Sequence, residues 1–181
     1  MSTPLAISAT DLAVLNFDEN FAVATRTIFA ANGLDAIFSV PGDDTQQAAT
    51  AGEIVFETGA SLDKNYVPAY HAANPLSDGV VDDAYAATLT VNLRTPRAVG
   101  NTPALTAGIL DRHNEICATI RGILQTHRNP YDSIGAAFPY YAVKFIRPVG
   151  TRHYADQDFE QDVSTLIFAL EFAILPTAWV P

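Results

Sequence analysis

The segment "TRHYADQDFEQDV", residues 151–163, places His153, Asp156, Asp158, Glu160 and Asp162 within thirteen positions. Residues of these types support two kinds of chemistry. Oxygen ligands at alternate positions can surround Ca²⁺ or Mg²⁺. A histidine with carboxylates can hold a transition metal that activates water, which would make a small metal-dependent hydrolase of His153, Asp156 and Asp158. "DQDFEQ" resembles the start of an EF-hand loop. The sixth position of that loop is glycine and the twelfth glutamate, whereas this chain has Gln161 and Ile167 there. No second histidine lies within helical or hairpin spacing of His153, since His71, His113 and His127 are scattered.

A third reading needs no ligand. "FIRPV" leads out of one apolar run and "DVSTLIF" leads into the next, so the segment joins two strands as a polar hairpin extension. Alternating carboxylates on its outer face discourage edge-to-edge pairing. Arg147 and Arg152 are placed to pair with some of them, each exposed pair worth about 0–1 kcal/mol. The sequence favours this reading, with no catalytic, cofactor or metal residues. Asp156, Asp158 and Glu160 are then interface candidates, together with Tyr66, Tyr70 and Trp179. There is no GxSxG, P-loop or dinucleotide GxGxxG. Cys117 falls beside Ile116 and Ile120 on an apolar stripe, as a buried thiol and not a nucleophile. His113, one turn earlier, reads as a helix-face residue.

These groups need elements to position them. Phe17, Phe21, Ala24, Ile28 and Ala31 make one stripe of a helix over 16–33, with Asn16 or Asp18 as cap and Gly33 as left-handed stop. "DAIFSV" (35–40) predicts a strand, as does "EIVFETG" (53–59). Residues 60–83 read as a long loop. Leu89, Val91 and Leu93 alternate with Thr88, Thr90, Asn92 and Arg94, which predicts a half-buried strand over 85–94. A second helix runs over 103–127, with Ile116, Ile120, Ile123 and Leu124 inward. After a loop at 128–139 come strands over 140–149 and 165–174. The last alternates Leu166, Phe168, Leu170 and Phe172 inward and is the strongest strand; Pro176 ends it, leaving a tail at 176–181. The order is helix, three strands, helix, two strands. It predicts one α+β domain over 1–181, a mainly antiparallel twisted sheet with two helices packed on one face.

With 20 acidic against 10 basic residues the net charge is −10, which argues against sequence-specific nucleic-acid binding. One cysteine cannot form an intrachain disulfide. No basic start with an apolar run marks a signal peptide, and no apolar run approaches the roughly 20 residues of a membrane span. The chain is expected to be intracellular, or assembled from intracellular subunits.

"TLTVNLRT" leading to "LTAGILDRHNEICATIRGIL", followed by the closing pair "YYAVKFIRPVG…DVSTLIFALEFAI", resembles the tail terminator and tail completion proteins of tailed bacteriophages over most of residues 16–175. The resemblance implies helices on one side of a twisted sheet and a homo-oligomeric ring, usually hexameric, that caps the tail tube at the head–tail junction. It implies neighbouring tail tube or neck proteins as partners, and a virion protein assembled in the bacterial cytoplasm. Acidic charge suits a lumen through which DNA slides. A different virion component, such as a neck, capsid-decorating or tube protein, is the alternative.

Overall fold

Apolar residues at every second position demand one face of a sheet, and those at three- and four-residue steps one face of a helix. The computed structural model describes residues 16–38, 50–61, 83–97, 103–126, 129–137, 141–156 and 160–174. They form α1 (Phe17–Ala31), β1 (Ala51–Ser61), β2 (Asp83–Pro96), α2 (Pro103–Leu124), a 3₁₀ helix (Pro130–Ala137), β3 (Tyr141–Asp156) and β4 (Gln161–Ile174). The strands make one sheet in the order β1-β2-β4-β3, antiparallel at every step. Both helices pack against one face of it, the α+β arrangement expected from the sequence.

The covered face is built by register. Leu89, Val91 and Ala87 of β2 lie beside Phe168, Leu166 and Leu170 of β4, and Ile54 and Phe56 of β1 extend the rows. All are buried. From α1, Phe21 stacks on Phe56 with ring centroids 4.3 Å apart and reaches Phe172 at 4.7 Å. Beneath α2, Ile116, Cys117, Ile120 and Leu124 complete the core. β4 is flanked on both sides, so the strongest strand of the sequence is central.

Helix α1 ends as its "NGL" predicts. Gly33 has φ 79°. Its N–H bonds Ala30 O, and the Leu34 N–H reaches back to Phe29 O, both at 3.0 Å, which closes a Schellman turn. At the start, Asn16 is the capping residue but its side chain makes no cap bond.

Three expectations are corrected. Residues 35–38 are a turn and not a strand, and residues 39 and 40 lie outside the described ones. The N–H groups of Ile37 and Phe38 return to Leu34 O, and the Ile37 carbonyl accepts from Gly52 N–H at 2.8 Å. The cause is the pair Leu34 and Phe38, four apart and both buried, which winds the chain onto the core. Phe38 lies over Gly52, where an added Cβ would stand 2.2 Å from the ring. Two strands and not three therefore precede α2 among the described residues. Second, residues 130–137 of the expected loop are a 3₁₀ helix, anchored by buried Tyr131, whose hydroxyl meets Thr25 Oγ1 at 2.7 Å. Third, β3 continues through the expected hairpin extension to Asp156. It is an edge strand, and its ladder is broken at Val143/Phe145 and at Pro148/Gly150. Residues 62–82 of the expected long loop, with Tyr66 and Tyr70, lie outside the described residues, as does the tail with Trp179.

Candidate functional site

The register that buries the core also gathers polar groups at one end of the covered face. Leu93 lies beside Ser164, and Thr95 beside Asp162; His153 of β3 lies beside Ser164. Helix α2 lowers His113 onto them. His113 is fully buried. Its Nδ1 is 2.7 Å from Thr95 Oγ1 and its Nε2 is 2.7 Å from Ser164 Oγ. Ser164 Oγ also meets His153 Nδ1 at 2.8 Å, and Thr95 Oγ1 meets Thr50 Oγ1 at 3.0 Å. The two imidazole rings stand edge-on, 5.6 Å apart.

Proton counting makes these contacts one chain. Each hydroxyl carries one proton and neutral His113 carries one. Every contact is satisfied when His153 Nδ1–H donates to Ser164, Ser164 to His113 Nε2, His113 Nδ1–H to Thr95, and Thr95 to Thr50. The reverse direction satisfies them equally.

Beside the chain, Asp162 is buried and forms an ion pair with Arg97. The hydrogen bond from Arg97 holds the Asp162 carboxyl below its ordinary range. Burial lowers the proton affinity of His113, and the neighbouring His153 lowers it further, against a weaker pull from Asp162. Burial pushes the Cys117 thiol up. Ser164 is 2% exposed and His113 0%, so this serine–histidine pair is closed to a substrate and acts as a polar latch between α2 and three strands.

The residues singled out in the sequence part company here. His153 faces the helices. Asp156, paired with Gln161, falls on the opposite face, and Asp158 lies outside the described residues. Glu160 occupies the turn at φ 49°, which breaks the alternation, so Asp162 points inward and not outward. Its partner is Arg97, neither Arg147 nor Arg152; Arg147 lies 5.6 Å over the Phe145 ring. Among the described residues no three His, Cys, Asp or Glu side chains are grouped to hold a metal ion. The sequence reading places His113 on a helix face but does not join it to this site. The signal was available: His113 stands three and seven residues before Ile116 and Ile120, on the buried stripe.

A cavity of about 700 Å³ opens between the C-terminal ends of the helices and the 3₁₀ helix, lined by Ile28, Asn32, Ile123, Asn129 and Asp132. Its amides are engaged in the fold: Asn32 donates to Ile28 O and Asn129 to Val143 O.

The other face of the sheet carries no helix among the described residues. Glu53, Glu57, Arg147 and Arg152 are exposed on it, and Val55, Thr88, Thr90, Asn92, Thr165, Ile167 and Ala169 are half-buried. No helix of the described residues is long and apolar enough to cross a membrane. No protein-family model matches the chain, and no curated protein matches it.

Proposed function

We propose that the protein is a structural subunit of a phage or phage-like tail, of the tail terminator kind, which assembles with copies of itself into a ring at the head–tail junction. The observation that carries this reading is the layer arrangement. One antiparallel sheet has both helices on one face, the layer arrangement that the resemblance implies. A helix, a hairpin, a second helix and a closing hairpin follow in the order that the resemblance implies. The polar groups best arranged for chemistry are sealed beneath α2, where they hold the fold together. A net charge of −10 suits a passage for DNA. Size-exclusion chromatography with light scattering, followed by negative-stain imaging, tests the proposal. Closed rings of one size are expected. A monomer at all concentrations, with a melting temperature raised by divalent cations, would overturn it in favour of a metal-binding enzyme.

A further inference from the structure

The open face carries its charge in rows. One row runs Glu53, Asn92, Thr165, Arg152 across β1, β2, β4 and β3. The next runs Val55, Thr90, Ile167, Gly150, and a third Glu57, Thr88, Ala169, Arg147. These two charged rows have glutamate at the β1 end and arginine at the β3 end, while the rows that flank them carry Arg94 on β2 and Glu171 on β4. Across four strands the ends lie about 14 Å apart, too far to pair within one chain. The central row ends at Gly150. A Cβ added there would meet nothing within 4 Å, and its φ is not in the left-handed region, so beside the register break at Pro148/Gly150 nothing among the described residues of the chain fills the space above it.

We infer that this face is a self-association surface for a second copy of the chain, stacked face to face about a two-fold axis parallel to the strands. Such an axis carries β1 over β3 of the second copy and returns each row to itself. Glu53 then meets Arg152 of the second copy, and Glu57 meets Arg147, with every pair occurring twice. Val55 seats over Gly150, where the absent side chain leaves room. The half-buried Thr90, Ile167, Thr165 and Ala169 fill the centre. The rows from Ala51 to Ala86 give a surface of about 19 Å by 30 Å. With side-chain relief this approaches the roughly 800 Å² per partner of a standard interface.

The same charges do not meet edge to edge. On β1 the outward N–H of Gly52 is taken by Ile37 O. On β3 Pro148 and two register breaks interrupt the ladder, the devices that keep edges from pairing. A two-fold contact closes on itself and builds no ring. It is therefore a second mode of association beyond the ring proposed above.

Light scattering and sedimentation at micromolar concentrations read the result. The parent is expected at the mass of two chains, or at twice the ring if rings form. Gly150→Leu should keep the parent's melting temperature and raise the dimer Kd more than about tenfold, because the leucine enters only the space between copies. Glu53→Arg with Glu57→Arg should do the same through like-charge contact, as should Arg147→Glu with Arg152→Glu. Mixing the two reversed proteins should restore pairing in a one-to-one complex. A Gly150→Leu protein that pairs like the parent, or reversed proteins that fail to pair when mixed, would overturn the two-fold contact. Single rings formed by Gly150→Leu would leave the ring reading standing without it, and parent dimers that never form rings would do the opposite.

Discussion

Replacing Ser164 by alanine removes one oxygen from the centre of the polar latch. The hydrogen bonds at 2.7 Å to His113 Nε2 and 2.8 Å to His153 Nδ1 disappear, and with them the contact to the Cys117 thiol; the two histidine bonds carry the cost. They are not equivalent. His153 is exposed, so water replaces the hydroxyl at its Nδ1. His113 is 0% exposed, and its Nε2 is left without a partner where water does not reach. A buried polar group stranded in this way costs about 1–3 kcal/mol. For a chain of this size that lowers the melting temperature by about 2–12 °C. His153→Ala removes only the solvated arm and should cost less than about 1 kcal/mol. Thermal unfolding followed by circular dichroism near pH 7.5 separates the two. If the two variants melt together, or Ser164→Ala melts with the parent, the latch is not sealed from water and the argument fails. Acid adds a second reading of the same site. The folded state lowers the proton affinity of His113 below its ordinary value of 6.5, so below that pH the unfolded chain binds the extra proton. The latch's stability is complete above 6.5 and declines as the pH falls. His153 contributes to the shift, so His153→Ala should melt with a shallower loss on acidification.

Other expectations follow from named contacts. Phe168→Ala, at the centre of β4 and 1% exposed, should cost about 3–5 kcal/mol and yield protease-sensitive protein, while Glu171→Gln on the open face should be mild; proteolysis with a urea melt checks both. Gly52→Ala forces a methyl into the Phe38 ring and should cost about 1–3 kcal/mol, seen as a lower urea midpoint and recovered in part by shortening residue 38 in Phe38→Leu. Burial raises the proton affinity of the Tyr131 hydroxyl well above its ordinary value of 10.0, so the folded state keeps a proton that the unfolded chain releases. Stability should fall as the pH rises past about 10, and Tyr131→Phe should flatten that alkaline arm.

The sheet could be read from the sequence because its information is local. Leu89, Val91 and Leu93, and Leu166 through Phe172, alternate within single strands, and burial on one face follows from the strand's own period. The end of α1 was legible for the same reason, since "NGL" contains the whole turn. The segment 35–38 reads as a strand because Ile37 and Phe38 suit one by composition, while the turn is set by the burial of Leu34 and Phe38 together and by the contacts of Phe38 with Phe29 and Gly52. The candidate site was legible only in part. Thr50, Thr95, His113, His153 and Ser164 span more than a hundred positions, and no spacing rule joins them; only the register of β2, β3 and β4 does. The carboxylate alternation looked continuous because the left-handed residue Glu160 leaves no trace in composition.

The position of β4 has a consequence for the making of the protein. It is the last of the described strands in chain order and pairs on both sides, with β2 and β3. A growing chain can close the β1–β2 hairpin early. The apolar row Leu89, Val91, Leu93 then waits beside an open strand edge until Leu166 and its neighbours have been added. At translation rates of about 5–20 residues per second the roughly 80 residues between Pro96 and Ile174 take about 4–16 s. During that interval α2 has emerged, and its face bearing Ile116, Ile120 and Leu124 can lie over the unfinished row as a temporary cover. The helix that seals the latch in the finished molecule is thus also placed, by its order in the chain, to shield the half-built sheet from premature pairing with another nascent copy.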